Sequence, residues 1–362
     1  MSSIVTFLGK GGTGRTTVAI AAAKKFAQQG RKVLLIAKSV VSYRVALGVE
    51  LTATPQEISA NLSVAHIAAT TLLEQNWDVI KELEQQYLRS PILKSVFGQE
   101  LGILPGMDEA LALNQLREYY QSNQYDVIIY DGAGDMTTLR MFAIPEVLDW
   151  YVRRFKNVFL ESDIVKALSP FVQPVTAAVL NVSFSFDNFE TEETRQANQI
   201  LERGKEALKE KKVIAYLVST EDKYALAEAK YLWGSAQQIG LNVGGVLLNQ
   251  ASSGDAAAEF SPLKVTALPK IGEGEWEQMG DVLPNLLEAD NPEPTSYDFA
   301  TSKIRIFLPG FDKKQVKLTQ NGAEITVEAG DQRRNINLPP QWANRSVTGA
   351  KFTESYLELT VG

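Results

Sequence analysis

Short apolar runs alternating with helically spaced stretches organise the first 250 or so residues of the chain. Ile4-Val5-Thr6-Phe7-Leu8 is a β-rich run, followed by a glycine stretch from Gly9 to Gly14. From Thr16 to Gln29 the apolar residues Val18, Ala21, Ala22 and Phe26 recur at helical spacing, and Gly30 is a natural stop. Val33-Leu34-Leu35-Ile36 is wholly apolar, as a parallel strand covered on both faces must be. Tyr125 to Tyr130 is another such run and ends in Asp131; Val213 to Val218 and Val243 to Leu248 are two more. A helical pattern fills Lys223 to Gln238. Strands alternating with helices predict a doubly wound α/β domain around a mostly parallel sheet.

Two stretches depart from this alternation. From about Pro145 to Lys212 strand signals are few. Val147, Leu148, Trp150, Tyr151 and Phe155 recur at helical intervals, as do Val172, Val175, Val179 and Val182 around Pro170 and Pro174. A helical insertion over about 145–212 is predicted. After Ala289, Asp290-Asn291-Pro292-Glu293-Pro294-Thr295-Ser296 reads as a proline-spaced polar linker. Beyond it come short alternating runs at Lys303–Leu308, Val316–Thr319, Glu324–Glu328, Arg333–Leu338 and Tyr356–Val361, with Asn321-Gly322 as a hairpin signal. The expected organisation is an α/β domain over 1–289, a linker over 290–300 and a small all-β sandwich over 301–362.

Composition narrows the chemistry. The 36 Lys and Arg against 43 Asp and Glu leave a net charge of −7, which argues against a nucleic-acid partner. With Cys at 0, disulfides, thiol nucleophiles, thiolate zinc and soft arsenite sites are excluded, so no zinc is expected. A single histidine, His66, makes a poor basis for a multi-histidine metal centre. Met1-Ser2-Ser3 leads into the first strand without a basic leader, and no apolar run reaches the roughly 18 residues of a membrane span. A cytoplasmic protein without stable membrane insertion is expected.

The glycine stretch carries the main chemical signal. Gly9-Lys10-Gly11-Gly12-Thr13-Gly14-Arg15-Thr16-Thr17 lies between a strand and a helix. Glycines let successive N–H groups turn inward to form a phosphate nest, and the following helix adds its positive dipole end. The Thr16 hydroxyl is suited to Mg²⁺. The alternative is a glycine-rich turn with no ligand.

This stretch resembles the deviant Walker A motif, K-G-G-x-G-K-[ST], of the dimeric ATPases that include arsenite-pump ATPases and tail-anchored-protein targeting factors. Arg15 stands where that family has its second lysine. Leu104-Pro105-Gly106-Met107-Asp108-Glu109-Ala110-Leu111 is similar to the family's L-P-G-x-D-E-A segment. Asp131 matches its Walker B carboxylate, and Gly132 to Pro145 resembles its switch II segment, with Asp135 and Thr137 in place of a threonine and a histidine. Ser39 occupies the position of the switch I aspartate that places the attacking water.

The resemblance implies a P-loop ATPase that binds ATP and Mg²⁺ as a homodimer. It places Lys10 on the partner's nucleotide and Gly11, Gly12, Thr13, Gly14, Arg15, Thr16 and Thr17 around the phosphates. It sets Asn249 at the adenine, and Thr16 with Asp131 (through water) at the metal. Lys10, Arg15 and Asp135 are the candidates for catalysis. Hydrolysis is expected to be slow, because a serine at 39 cannot take a proton as a carboxylate does. In the targeting factors the region after switch II forms a groove for a client's membrane segment. Phe171, Val175, Val179, Phe184 and Phe186 fall there, and helix-to-helix core explains their pattern equally well. Ile304 to Phe311 and Tyr356 to Val361 resemble the α-crystallin domain of small heat-shock proteins, which implies either client binding or bracing of the ATPase domain. Runner-up readings are a P-loop ATPase, small-molecule kinase or regulatory nucleotide-binding protein with no membrane-protein client, and a positioning ATPase. An arsenite pump subunit is the weakest.

Overall fold

The computed structural model describes residues 2–68, 71–72, 106–161, 192–251, 255–272, 274–289 and 292–362. The chain divides into two compact units: residues 1–4, 26–132 and 140–207, and residues 5–25, 133–139 and 208–362. Strands β1 (Ser3–Leu8), β2 (Val33–Ala37), β3 (Gln56–Ser59), β4 (Leu62–His66), β5 (Val127–Asp131), β6 (Val213–Ser219), β7 (Asn242–Asn249) and β8 (Val265–Leu268) form one sheet. Its order is β3-β4-β2-β5-β1-β6-β7-β8, so the strand leading into the glycine loop is interior.

In the first unit β2 pairs parallel with β4 and β5, while β3 closes the edge antiparallel to β4. Every residue of β2 and β5 is buried, which is why their sequences are nearly all apolar. Helix α2 (Val40–Leu47) follows β2 and ends on Gly48 in a left-handed cap at φ 67°. Helix α3 (Met107–Ser122) starts at Gly106 with Asp108 and Glu109 in its first turn, where the helix dipole favours them. Helix α4 (Met136–Glu161) begins nine residues before the expected start of the insertion and runs through Pro145, although proline forfeits one helical hydrogen bond. Helix α5 (Glu192–Lys209) meets it at Gly204, where an added Cβ would lie 3.0 Å from the Pro145 ring, and Lys205 pairs with Asp149 at 3.0 Å. The candidate groove residues Phe171, Val175, Val179, Phe184 and Phe186 lie outside the described residues.

In the second unit β6, β7 and β8 pair parallel, and helix α1 (Arg15–Gln28) follows the glycine loop. Helix α6 (Lys223–Gln238) is capped by Asp222, whose carboxylate accepts from the amides of Tyr224 and Ala225. Helix α7 (Trp276–Val282) precedes the C-terminal β region.

That region has two antiparallel sheets. Strands β9 (Thr295–Asp298), β10 (Lys303–Phe307), β14 (Val347–Thr353) and β15 (Tyr356–Val361) form one, in the order β14-β15-β10-β9. Strands β11 (Val316–Asn321), β12 (Glu324–Ala329) and β13 (Gln332–Asn337) form the other. Ile304, Ile306, Ile325, Val327, Ile336, Leu357 and Leu359 fill the core between them. β10 alternates from Lys303 to Ile306: Ile304 and Ile306 point inward, while Arg305 stacks over the Tyr356 ring at 4.3 Å and Lys303 pairs with Glu358 at 2.8 Å; Phe307 is buried as well. Part of the expected linker over 290–300 is strand. β9 pairs with β10 from Thr295 to Asp298, a contact in which backbone hydrogen bonding outweighs a polar sequence with no alternation. The hairpin signal also shifts by one residue, since Asn321 pairs with Glu324 and the turn is Gly322-Ala323, with Gly322 at φ 60°.

Candidate functional site

The glycine loop closes on itself before helix α1 begins. The Thr13 hydroxyl donates to the Lys10 carbonyl at 2.9 Å, and the Thr13 amide reaches the same oxygen at 3.3 Å. The first helical bond runs from the Val18 amide to the Gly14 carbonyl at 3.0 Å. Gly12 and Gly14 take φ of 85° and 92°, a region that side-chain-bearing residues rarely adopt. Thr13 is buried, Lys10, Gly11 and Gly12 are exposed, and Gly14, Arg15, Thr16 and Thr17 are half-buried. No acidic residue sits in the first turn of α1, so nothing of like sign competes there with a bound anion.

The ends of β6 and β7 hold this loop. A Cβ on Gly9 would collide with the Val218 carbonyl, and one on Gly14 with the Asn249 side-chain amide. Asn249 donates from Nδ2 to the Thr13 carbonyl at 2.9 Å and is itself buried, while its Oδ1 has no hydrogen-bond partner. A buried acceptor without a donor costs about 1–3 kcal/mol. An amide oxygen in that state suits the exocyclic amine of adenine. The family resemblance implies an adenine contact for Asn249; its hold on the loop, 236 positions away, has no local signature in the sequence.

The switch II segment joins the same loop. The Gly9 amide donates to the Gly134 carbonyl at 2.8 Å, and the Gly134 amide donates to the buried Thr138 hydroxyl at 2.8 Å. Arg15 donates from Nη1 to the Ala133 carbonyl. Asp135 is exposed and caps α4, with its Oδ1 accepting from the Thr137 amide at 2.8 Å. That contact gives it a structural role alongside the catalytic one considered from sequence.

In the first unit, Asp131 ends β5 with 6% of its surface exposed. Its Oδ2 accepts from the Tyr43 hydroxyl at 2.9 Å, and Tyr43 is completely buried. Burial, with the Asp131 charge beside it, holds the Tyr43 hydroxyl well above its ordinary pKa, so the tyrosine stays a proton donor. Tyr43 was not singled out from the sequence. It lies on α2 among Val40, Val41 and Val45, where a tyrosine reads as one more large apolar side chain. Ser39 precedes α2 at φ −106° and ψ 105°, and its hydroxyl lies 3.1 Å from that of Ser42 rather than capping the helix. Lys38 pairs with Glu109 at 3.6 Å.

Known proteins match this sequence along its length. Residues 300–360 match the HSP20-like domain found in ArsA. A putative arsenical pump-driving ATPase of Chlorobaculum tepidum is 25% identical over 98% of this chain and 95% of its own. The putative arsenical pump-driving ATPase 1 of Aquifex aeolicus is 26% identical over 96% and 97%. The ATPase GET3 of Malassezia globosa is 29% identical over 46% of this chain and 47% of its own. The profile described as anion-transporting ATPase matches residues 2–263, the whole span of the glycine loop, Asp131 and Asn249, and the chain belongs to that ArsA ATPase family.

Proposed function

We propose that this chain is an ATP- and Mg²⁺-dependent targeting factor or chaperone that works as a cytoplasmic homodimer and shields hydrophobic, tail-anchored-like segments of membrane proteins. The observation that carries this reading is the glycine loop at the start of α1, with Gly12 and Gly14 at positive φ and the unpartnered Asn249 Oδ1 beside it. In this reading Gly11 to Thr17 hold the phosphates by their amides, and Asn249 receives the adenine amine. Thr16 offers a hydroxyl and Asp131 a carboxylate to magnesium, Asp131 through water. Bound magnesium would neutralise phosphate charge as the terminal phosphoryl group is transferred to water. Lys10, exposed at the loop, is the cation that a partner subunit's nucleotide would recruit, which links binding to dimer closure.

Two features support slow hydrolysis. Ser39 replaces a carboxylate, and the Asp135 carboxylate already caps α4. The support for a client is the likeness to ATPase GET3 and the apolar sequence from Phe171 to Phe186. Among the described residues, no helix is long and apolar enough to cross a membrane. Two relatives are named for an arsenical pump, but a chain with 0 cysteines has no thiolates to offer a metalloid. Sedimentation of the pure protein with and without Mg·ATP, followed by co-purification with a hydrophobic-tailed test protein, checks both halves. ATP-dependent dimer closure and client capture are expected. A monomer in both conditions contradicts the dimer, and no capture contradicts the client.

A further inference from the structure

Arg15 stands where the resembling motif has its second lysine, and its surroundings show a use for the difference. Its Nη1 donates to the Ala133 carbonyl, and Gly134 lies so close beneath the guanidinium that a Cβ there would overlap Nη1. Gly134 is at φ 67° and is fixed from both sides, by the Gly9 amide on its carbonyl and by Thr138 on its amide, each at 2.8 Å. Residues 133–134 are therefore tied to the glycine loop twice, by the backbone of Gly9 and by the side chain of Arg15. A guanidinium carries five N–H donors in a rigid planar fork, enough to hold a backbone carbonyl and serve a phosphate oxygen as well. A lysine ammonium keeps its three donors on one atom at the end of a flexible stem, so it does not span two separated acceptors as the fork does.

We infer that Arg15 is a positioning residue that ties switch II to the nucleotide. One part of its fork holds the Ala133 carbonyl and another takes an oxygen of the terminal phosphate. The placement of residues 132–139 then depends on whether a triphosphate or a diphosphate is bound, and Gly134 is the residue that makes room for the fork. This inference rests on the nucleotide-binding reading above.

Hydrogen exchange of the full chain, over peptides covering residues 5–14 and 132–139, tests it with ADP and with a non-hydrolysable ATP analogue, each with magnesium. In the wild type the analogue is expected to slow exchange over 132–139 about fivefold more than ADP does. Arg15→Lys keeps the charge, and calorimetry gives its affinity for each nucleotide so that exchange is compared at saturation. In that variant the difference between the two nucleotides disappears, and exchange over 132–139 without nucleotide is faster than in the wild type. Gly134→Ala leaves Arg15 in the sequence but displaces its fork, and it should reproduce the loss. Heat of binding in both variants with wild-type exchange in both overturns the Arg15 inference alone. No heat with either nucleotide in the wild type overturns the nucleotide reading and the phosphate half of this inference with it. Even then the nucleotide-free comparison still reports whether Arg15 holds switch II.

Discussion

Two places in the second unit depend on glycines that admit a neighbour where a Cβ would collide, and they are built to opposite ends. At the glycine loop, Gly9, Gly14 and Gly134 admit a carbonyl, an amide and a guanidinium, so the contacts are polar and directional. Gly11 and Gly12 there face open space. At the joint between α6 and the β-sandwich, Gly234 admits the Pro309 carbonyl and the Phe311 ring, and Gly330 admits Phe311 and Tyr231. The rest of that joint is aromatic: Tyr231 packs edge-on against Phe311 with centroids 5.8 Å apart, and Trp233 against Phe307 at 5.7 Å. The loop leaves Lys10, Gly11 and Gly12 exposed, whereas the joint closes over its contents. Glycine spacing alone therefore does not mark a ligand site; what the freed space is left facing does.

The joint also bears on the open question of the sandwich. It is clamped on α6 by rings and by Arg334, whose Nη1 reaches the Gln237 and Pro294 carbonyls at 3.4 Å, and the Tyr231 hydroxyl accepts from the Asp331 amide at 3.1 Å. Bracing of the ATPase domain fits these contacts.

Breaking the joint should have the largest effect on stability. Gly234→Val drives a branched side chain into the Pro309 carbonyl and the Phe311 ring and should cost about 3 kcal/mol, read as a lower denaturant midpoint. ATP affinity should change far less, and a parallel loss of both would mean that loop and joint are not separable. Lys10→Ala addresses the other side of the comparison. It should weaken nucleotide-driven dimerisation by about 2 kcal/mol, roughly 30-fold in sedimentation, with the melting temperature unchanged. Tyr43→Phe removes the donor to Asp131 and should cost about 1.5 kcal/mol in chemical denaturation. Gln237→Met gives the smallest effect, and of opposite sign. Both side-chain polar atoms of Gln237 are buried without a partner, so replacing the amide should raise the melting temperature by about 2 °C.

Strands β1, β2, β5, β6 and β7 of the large sheet could be read from the sequence because burial on both faces forces apolar runs; β2, β5 and β6 are buried at every position. Helix α6 spans the residues its periodicity predicts, yet its last turns, Leu232 to Gln238, are buried all round. The sandwich meets this end of the helix at Gly234 and at the Gln237 carbonyl, a tertiary contact that no local pattern encodes. The edge strands β3, β9 and β14 escaped for the complementary reason: their exposed, alternating or polar sequences carry little hydrophobic signal. In the candidate site, the glycine loop could be read as a turn between strand and helix because its glycines are clustered in sequence. Tyr43 lies 88 positions from Asp131 in sequence, so their hydrogen bond has no local signature. The groove residues from Phe171 to Phe186 lie outside the described residues, and their assignment to a client stays with the co-purification test.

Titration calorimetry of the intact protein with ATP, in the presence of magnesium, bears most directly on the whole account. Saturable heat with a dissociation constant of about micromolar order, lost when magnesium is chelated, is the predicted result. An absence of heat from a folded sample would contradict it, because the glycine loop, Arg15 and Asn249 would then be holding one another and nothing else.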